Sequence, residues 1–448
     1  MSPFLPSQLL SRAYPSMSEP NFTIKYATPV DFGMQYSQGA DDMQWPRQYR
    51  SFTSHDAFNA ELSRVADITE LKSPDRKLIC HTATLQPFMA PKPGAKPSED
   101  RHVFQIWDLP SGKWTMAAVF DGHAGEEIAE YAHVALPSRI RLALEALDMV
   151  KASPQSISEI LAKAIEEFDK SIGDELKALL PESFENLDEE ALKKLVNDQE
   201  SGSKVYNACI RCMRGSTAII ALIDSGLQNL WVANLGDCQA VLVEYPAEKT
   251  NFTAAVLSSP HNARVDKEVQ RIQLEHPGER QAILNDRVLG AIAVTRALGD
   301  FTFKLPAVYT TKLFVNVNLG YRIRSKVEEF IPRNLTPPYV SATPDVIHRI
   351  LKSSTSVGGR TKHALVLCSD GLTDPYYSRG WTTDRIAQHF ARVCLKSSGK
   401  EWDGLGDNLA LYLCKDALGE SLEEQSRNLT VDLDFQHLDD TTAIVLSW

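Results

Sequence analysis

The sequence predicts an α+β fold in which antiparallel sheets are flanked by helices, and two observations support this prediction. Short apolar runs follow one another closely, with Asp224-Ser-Gly226 as a hairpin turn between two of them. Segments with helical periodicity are grouped into separate blocks instead of alternating one by one with strands. A parallel doubly wound sheet would require that strict alternation, so antiparallel sheets are favoured.

The individual elements follow from apolar periodicity along the chain. Residues 1 to about 50 have no sustained period and are expected to be irregular, and a short helix is expected around 58–71. Four prolines within 87–97 predict a loop, because proline lacks the backbone N–H that helices and sheets require. Strands are predicted at 103–108, 114–121, 216–224, 229–235, 238–244, 253–257, 339–342, 364–369 and 442–447. Helices are predicted near 126–149, 155–180, 188–198, 265–274, 384–395 and 408–418.

Composition excludes several classes of protein. The 448 residues carry a net charge of −11 without a basic stripe that could neutralise phosphates, which argues against a nucleic-acid binder. No apolar run approaches the roughly 20 residues needed to span a bilayer. The seven scattered cysteines do not indicate a disulfide framework. Cys209-Ile-Arg-Cys212 is interpreted as a pair of structural thiols, with a metal or redox role as the alternative.

The most informative motif is Ala118-Val-Phe-Asp-Gly-His-Ala-Gly125, in which an apolar run ends in an acid. Asp121 either enters a functional site from the strand end or caps the helix that follows. Gly122 permits a close approach of the backbone, and His123 can exchange a proton near neutral pH. The choice between these interpretations depends on whether other acids are placed in the same way.

Acids adjoin apolar runs at four further places along the chain. Asp237 and Asp370 follow such runs, whereas the pairs Glu99-Asp100 and Asp439-Asp440 precede them. We therefore expect strands to deliver several carboxylates to one pocket. Carboxylate and carbonyl oxygens are hard ligands that suit Mg²⁺ or Mn²⁺ rather than zinc. Two such ions can activate a bridging water and clamp a phosphoryl group.

Eight motifs, taken in order, resemble those of the PPM (PP2C-like) family of metal-dependent protein serine/threonine phosphatases. The resemblance covers roughly residues 75–448 and rests on Glu99-Asp-Arg101, Ala118–Gly125, Gly215-Ser-Thr-Ala218, Val232–Asp237, Arg287-Val-Leu-Gly290, Arg296–Asp300, Ser369-Asp-Gly371 and Asp439–Thr442. Further stretches resemble the pyruvate dehydrogenase phosphatase catalytic subunits of this family, namely Pro260-His-Asn262, Glu275-His-Pro277, Phe330-Ile-Pro332 and Thr336–Tyr339.

The resemblance implies a four-layer α-β-β-α sandwich with a metal site at one end, between the two sheets. It implies that Asp121 bridges two Mg²⁺ or Mn²⁺ ions and that Gly122 contributes its carbonyl oxygen. Glu99 would bind the second ion, and Asp370 and Asp439 would bind the first. A weakly held third ion, or support of the ligands, would involve Asp237, Asp374 and Asp100.

The implied reaction is a single-step attack of a metal-bridging hydroxide on phosphoserine or phosphothreonine, with His123 as the general acid for the leaving oxygen. A hydrogen bond at the helix entry is the alternative role of His123. Arg296, Asp300 and Asp345 are expected to organise the site rather than react. The alternative function is a non-catalytic regulatory or scaffold protein with the same fold.

One departure from the family pattern affects substrate binding. Many members carry an arginine that grips the substrate phosphate, and Ala95 occupies that position here. Arg101, Lys96 or Lys92 could replace it, or the metals alone could hold the phosphate. Arg101 is the candidate substrate-binding residue.

The expected organisation is an N-terminal extension over 1–74 and a PPM-type phosphatase domain over 75–448, with insertions near 183–210 and 305–336. The expected partner is a phosphoprotein substrate, with the pyruvate dehydrogenase complex as a candidate. Neither nucleic acid nor a membrane span is expected. An intracellular location is expected; residues 1–18 loosely resemble a mitochondrial presequence, so the mitochondrial matrix is one candidate compartment and the cytoplasm the other.

Overall fold

The structure is a computed structural model that describes residues 21–32, 45–75, 77–86, 98–148, 152–198, 202–246, 251–318, 320–322, 325–351, 361–396, 407–433 and 436–448. Its strands are β1 Phe22–Ala27, β2 Arg47–Phe52, β3 Asp67–Lys72, β4 Ile79–Leu85, β5 Arg101–Leu109, β6 Gly112–Phe120, β7 Gly122–His123, β8 Gly215–Ser216, β9 Ala218–Ile223, β10 Asn229–Leu235, β11 Gln239–Pro246, β12 Thr253–Val256, β13 Ile283–Leu284, β14 Arg287–Val288, β15 Leu298–Gly299, β16 Asp345–Ile350, β17 Thr361–Cys368 and β18 Thr441–Ser447. Its helices are α1 His55–Val65, α2 Glu127–Glu145, α3 Pro154–Leu179, α4 Glu189–Asn197, α5 Lys204–Met213, α6 Asp266–Glu275, α7 Val327–Phe330, α8 Asp370–Ser378, α9 Thr383–Lys396, α10 Leu409–Ala417 and α11 Leu422–Thr430.

Two large antiparallel sheets form the centre of the fold. The first has five strands in the order β16-β10-β9-β6-β5, and the second has six in the order β12-β11-β17-β18-β4-β3. Every pairing within these two sheets is antiparallel. The predicted α+β class with antiparallel sheets is therefore confirmed.

Alternate residues along the central strands divide the core into separate layers. On β9, Ile219, Ala221 and Ile223 face the second sheet, whereas the alternate residues face helices. On β17, Leu365 and Leu367 face the first sheet. Because each central strand is covered on both faces, its sequence is apolar throughout instead of alternating with polar residues. The four-layer α-β-β-α arrangement is confirmed.

Helices cover both outer faces of the sandwich. Residues of α2, α3, α4 and α5 pack on the five-stranded sheet, and residues of α1, α8, α9 and α10 pack on the six-stranded sheet. The longest of the described helices, α3, has Pro154 as its first residue, where proline is favoured. Ser153 is its N-cap, and the Ser153 side chain accepts a hydrogen bond from the Ser156 N–H. None of the described helices is both long and apolar enough to cross a membrane.

Both predicted insertions add to the helical layer over the five-stranded sheet. Leu192 and Val196 come from the first, and Leu313 and Phe314 come from the second, and all four are buried in one core. The Asn197 amide also donates to the carbonyl of Asn316 at 2.8 Å. The two predicted insertions are thus in contact through the shared core and this hydrogen bond. The division at residue 74 stays a prediction, although β3 pairs with β4 in the second sheet.

Several predicted elements differ from the structure. The helix expected at 58–71 ends at Val65, because the chain turns into strand β3. The strand expected at 339–342 is wrong: this segment makes one isolated bridge through Ser341, and the nearby strand is β16. Pro344, which lacks an N–H, separates the two. The expectation of irregular structure before residue 50 is also wrong for β1 and β2, which pair with each other.

The N-terminal strands are attached to helix α11 by one carboxylate. Glu423 accepts hydrogen bonds from Lys25 at 2.7 Å and from Ser51 at 2.7 Å, and it also accepts one from the Tyr49 hydroxyl. Burial and this bond raise the pKa of Tyr49 to about 12. The pair of strands is therefore fixed to helix α11, close to the last described strand, β18, in the sequence.

Candidate metal centre

Strand ends of both sheets meet at one end of the sandwich. Asp121 follows β6, whose last residue lies opposite Arg101 at the start of β5. Asp370 follows β17, whose last residue, Cys368, lies opposite the beginnings of β11 and β18. The loops before β5, β11 and β18 therefore share an edge with the loops after β6 and β17. They carry Glu99, Asp100, Asp237, Asp439 and Asp440.

Hydrogen bonds join the two sheets at this edge. The Glu99 N–H donates to the Asp440 carboxylate at 2.6 Å. The Ser369 hydroxyl donates to the Asp100 carboxylate at 2.8 Å and accepts from the Thr442 N–H at 2.9 Å. Asp100 is thus bonded to the residue before Asp370, and its supporting role stays a prediction. Ser369 was quoted only as part of a motif, and the structure gives it this bridging contact.

Mutual repulsion marks the centre of the cluster. Burial, followed by the charges of Asp100, Asp439 and Asp237, raises the pKa of Asp121 well above its usual value. Burial, followed by Asp121 and Asp237, raises the pKa of Asp370 in the same way. The structure therefore brings these predicted acids close enough for their charges to interact strongly.

Asp374 and Asp237 lie on one side of this cluster. Burial, followed by the charges of Asp237 and Asp439, raises the pKa of Asp374 to about 6, although the residue as a whole is exposed. Burial also raises the pKa of Asp237, against a hydrogen bond from Asn262. These two acids are adjacent, as expected for a third, weaker site, and their role stays a prediction.

Glycine 122 allows the backbone to close around Glu99. A Cβ at this position would lie 2.4 Å from the Glu99 carbonyl oxygen, so no other residue fits without displacing the backbone. The Gly125 N–H then donates to the Glu99 carboxylate at 3.1 Å. Burial raises the pKa of Glu99 above its ordinary value. The motif that was ambiguous in the sequence therefore wraps around Glu99, and helix α2 begins only at Glu127.

His123 is oriented by Asp300. Its Nε2 lies 2.7 Å from the Asp300 carboxylate, which is 4% exposed, whereas the imidazole is 29% exposed. Burial lowers the pKa of His123, but the charge of Asp300 and its hydrogen bond outweigh burial and raise it. A Cβ on Gly215 would lie 2.0 Å from this Nε2. The glycine therefore leaves room for the pair.

Arg101 is committed to local contacts. Its guanidinium donates to Glu130 at 2.5 Å and to the carbonyls of Ser98 and Asp100 at 2.5 and 2.7 Å. Its role in substrate binding stays a prediction. The alternatives Lys92 and Lys96, like Ala95, lie outside the described residues.

A second charged network lies beneath Asp237. Arg296 donates to Glu268 at 2.5 and 3.0 Å and to Asp345 at 3.0 Å. His261 lies 3.3 Å from Asp345, and its Nδ1 accepts from the Gly236 N–H at 3.2 Å. This chain of contacts ends at the residue before Asp237. It matches the structural role expected of Arg296 and Asp345.

The two cysteines of the CxxC motif lie in the hydrophobic core. Cys209 and Cys212 are buried free thiols of α5. Burial raises the pKa of Cys209 to about 12, which disfavours the reactive thiolate. The interpretation as structural thiols is the one that fits this environment.

The chemistry of the acid cluster fits a hard divalent cation. Its donors are carboxylate oxygens, and Oδ1 of Asp440 is buried without a hydrogen-bond partner among the described residues. Burial and Asp439 raise the pKa of Asp440 to about 6, against the hydrogen bond from Glu99. Within the described part of the chain, no three His, Cys, Asp or Glu side chains are already arranged to hold one ion. The individual metal ligands stay a prediction.

Comparisons with known proteins identify a family for this chain. Residues 92–381 match the family model described as Protein phosphatase 2C. The chain is 26% identical over 375 residues to a protein phosphatase 2C homolog of Schizosaccharomyces pombe, covering 78% of this chain and 77% of that protein. It is 33% identical over 202 residues to the bovine mitochondrial [pyruvate dehydrogenase [acetyl-transferring]]-phosphatase 1, covering 44% of this chain and 35% of that protein.

A third relative is the mitochondrial [pyruvate dehydrogenase [acetyl-transferring]]-phosphatase 1 of Saccharomyces cerevisiae. The identity is 28% over 298 residues, covering 63% of this chain and 47% of that protein. The matches thus span less than half of either pyruvate dehydrogenase phosphatase.

Proposed function

The chain belongs to the protein phosphatase 2C family and is a protein serine/threonine phosphatase, and we propose that it acts through the acid cluster at the end of its sandwich. The observation that carries this proposal is the convergence of Asp121, Asp370 and Asp237. Burial raises the pKa of all three carboxyl groups. The charge of Asp237 raises the pKa of the other two further, and Asp121 does the same to Asp370. Buried like charges repel one another, and a bound cation would remove this repulsion.

Glu99, Asp121, the Gly122 carbonyl, Asp370 and Asp439 would hold two Mg²⁺ or Mn²⁺ ions, with Asp237 and Asp374 available to a third. When bound, the ions would lower the pKa of a water and neutralise charge on the phosphoryl group. The protein's own part is to keep the acids in place. The hydrogen bonds from Glu99 to Asp440 and from Ser369 to Asp100 do this from behind.

In this proposal His123 gives a proton to the leaving serine or threonine oxygen. Its imidazole is partly exposed at the cluster, and Asp300 favours the protonated form. A general acid matters most when the leaving oxygen is a poor leaving group, as an alkoxide is.

Changing Asp300 to Asn is therefore expected to lower kcat for a phosphothreonine peptide by about a hundredfold or more, the usual contribution of a general acid. For p-nitrophenyl phosphate, whose phenolate leaves without protonation, the loss should be far smaller. Steady-state kinetics with both substrates measure the contrast. Equal losses on the two substrates would contradict the role of His123 as general acid.

Phosphorylated pyruvate dehydrogenase is the substrate that we favour. Two of the relatives are named as pyruvate dehydrogenase phosphatases. The stretches that resemble that subgroup also contact one another: His276 Nδ1 lies 2.9 Å from the Thr336 hydroxyl, and its ring stacks on Tyr339 with centroids 4.1 Å apart. The mitochondrial matrix is the compartment that matches this substrate.

The decisive experiment measures phosphate release from a phosphorylated pyruvate dehydrogenase peptide and from unrelated phosphothreonine peptides, with Mn²⁺ and with chelator. We expect hydrolysis only with metal and a higher kcat/KM for the pyruvate dehydrogenase peptide. Equal values would remove the substrate assignment. Hydrolysis that persists in chelator would contradict the metal-dependent mechanism, and no hydrolysis at all would favour a scaffold role.

A further inference from the structure

An arginine of the second insertion lies at the acid cluster. Nη1 of Arg322 is 3.7 Å from the carboxylate of Glu126, the residue that precedes helix α2. Glu126 directly follows Gly125, whose N–H binds the Glu99 carboxylate. Burial raises the pKa of Glu99 and the charge of Arg322 opposes this rise, so the guanidinium lies close enough to a predicted metal ligand for their charges to interact.

The backbone before Arg322 is anchored firmly. The carbonyl of Gly320 accepts a hydrogen bond from Arg214 at 3.3 Å, and Arg214 is fully buried. The hydroxyl of Tyr321 lies 3.1 Å from that of Thr302, and the ring packs against the helical core. These contacts fix where the side chain of Arg322 starts, so its approach to the cluster does not depend on a free loop end.

The side chain itself keeps capacity for another partner. Arg322 and Glu126 form an ion pair whose N–O distance is longer than that of a hydrogen bond, and the arginine side chain is 27% exposed. Arg101, by contrast, is already bonded to three oxygens. An arginine at the rim can offer two parallel N–H groups to a phosphoryl group, which is the geometry that arginine provides best.

A second guanidinium adds positive charge beside it. Burial lowers the pKa of Arg214, Glu127 opposes this, and the charge of Arg322 lowers it further. Nη2 of Arg214 is buried without a hydrogen-bond partner among the described residues. Because Arg214 is fully buried, it contributes only its charge, and the partly exposed Arg322 is the cation of this pair that an anion can contact.

We propose that Arg322 grips the phosphoryl oxygens of the substrate, in place of the arginine that Ala95 replaces. The proposal rests on the proposed phosphatase function, and it gives the second insertion a role in binding: this segment carries the anion-binding residue to the site from the outer helical layer.

The test is the affinity of the full-length, Mn²⁺-loaded protein for inorganic phosphate, measured by isothermal titration calorimetry. Removing a charged hydrogen-bond donor in Arg322→Ala should weaken phosphate binding about tenfold or more. Arg322→Lys should lie between, because it keeps the charge but loses the fork. Lys326→Ala, which removes an exposed cation of the same insertion, should match the wild type.

Two further readouts separate binding from structure. The apparent affinity for Mn²⁺ should be the same in Arg322→Ala and wild type, and KM for a phosphothreonine peptide should rise more than kcat falls. Glu126→Gln removes the existing ion-pair partner and should keep or strengthen phosphate binding. If Arg322 served only to neutralise Glu126, Arg322→Ala would cost no phosphate affinity in the Glu126→Gln background, whereas a direct contact predicts the same loss in both backgrounds.

Unchanged phosphate affinity in Arg322→Ala would overturn the proposal, as would a loss found in Arg101→Ala instead. Absence of phosphate binding to the wild type would also overturn it. These outcomes are read without turnover, so they are distinguishable from failure of the proposed function, in which phosphate binds but no phosphopeptide is hydrolysed.

Discussion

Replacing Asp121 by asparagine is expected to abolish phosphatase activity and, at the same time, to stabilise the protein in the absence of metal. Activity should fall by about a thousandfold or more, because the metals contribute several kcal/mol to the reaction. Stability should rise because burial and three neighbouring acids oppose the charge of Asp121. Because the folded state raises this pKa, the ionised carboxylate destabilises the metal-free fold at neutral pH, so the unfolding temperature in chelator should be higher for Asp121→Asn than for the wild type. Thermal unfolding in chelator and phosphopeptide hydrolysis with Mn²⁺ measure the two effects.

A matched control is the same chemical change at a buried acid that has a partner. Asp169 accepts from Lys304 at 2.8 Å with both oxygens and from the Gly299 N–H at 2.8 Å. Burial raises the pKa of Asp169 as well, but Lys304 and the Gly299 N–H oppose the rise, whereas the neighbours of Asp121 add to it. Asp169→Asn leaves a buried ammonium without its counter-ion and should lower the unfolding temperature. A loss of stability in both variants would show that Asp121 is not held in a repulsive cluster.

The largest loss of stability is expected from Glu268→Ala. This carboxylate is 1% exposed and accepts from Arg296, from Thr295 at 2.7 Å and from Arg271 at 3.0 Å. Burial opposes its charge, but the bonds from Arg296 and Thr295 outweigh burial and lower the pKa of Glu268 to about 2. Removing it leaves Nε and Nη2 of the buried Arg296 without their carboxylate, while Nη1 still binds Asp345, and this costs about 3 kcal/mol in the free energy of unfolding. Urea denaturation at neutral pH measures the change.

Glu275→Ala provides the comparison for this prediction. Glu275 also binds Arg271, at 2.8 Å, but its side chain is 48% exposed. An exposed pair contributes about 0–1 kcal/mol, so this variant should be close to wild type. Because the folded-state pKa of Glu268 is lowered, its contribution is present above the unfolded pKa and is lost as the pH falls towards about 2. The gap between the two variants should therefore shrink in acid, and a gap that is independent of pH would contradict this account.

The layered fold was predictable where the composition of a strand reflects what covers it. The run Ala218–Ile223 lies between a helical layer and a second sheet, so its residues are apolar on both faces. This pattern can be read from the run itself, without knowing its partners. The strands β1 and β3 were not predictable in this way. Most of their residues are exposed, so neither strand has the apolar residues on both faces that mark a covered strand.

The residues of the candidate site likewise fall into those that the sequence could predict and those that it could not. Asp121 and Asp370 directly follow apolar runs, so their placement at strand ends was visible in the sequence. Arg322 carried no such signal, because an insertion of mixed composition does not reveal which face of the molecule it reaches. Only the contacts of Gly320 and Tyr321 with the body of the fold place it at the cluster.

The attachment of the N-terminal strands to Glu423 has a consequence for how the chain is made. Lys25 and Glu423 are separated by 398 positions, so this contact is among the longest-range contacts of the fold. Contacts of this kind close late, because the entropy of a large loop opposes them until the rest of the structure is formed. On the ribosome the first strands are synthesised long before helix α11 exists. The pair of strands therefore lacks its contacts with Glu423 until helix α11 has been synthesised.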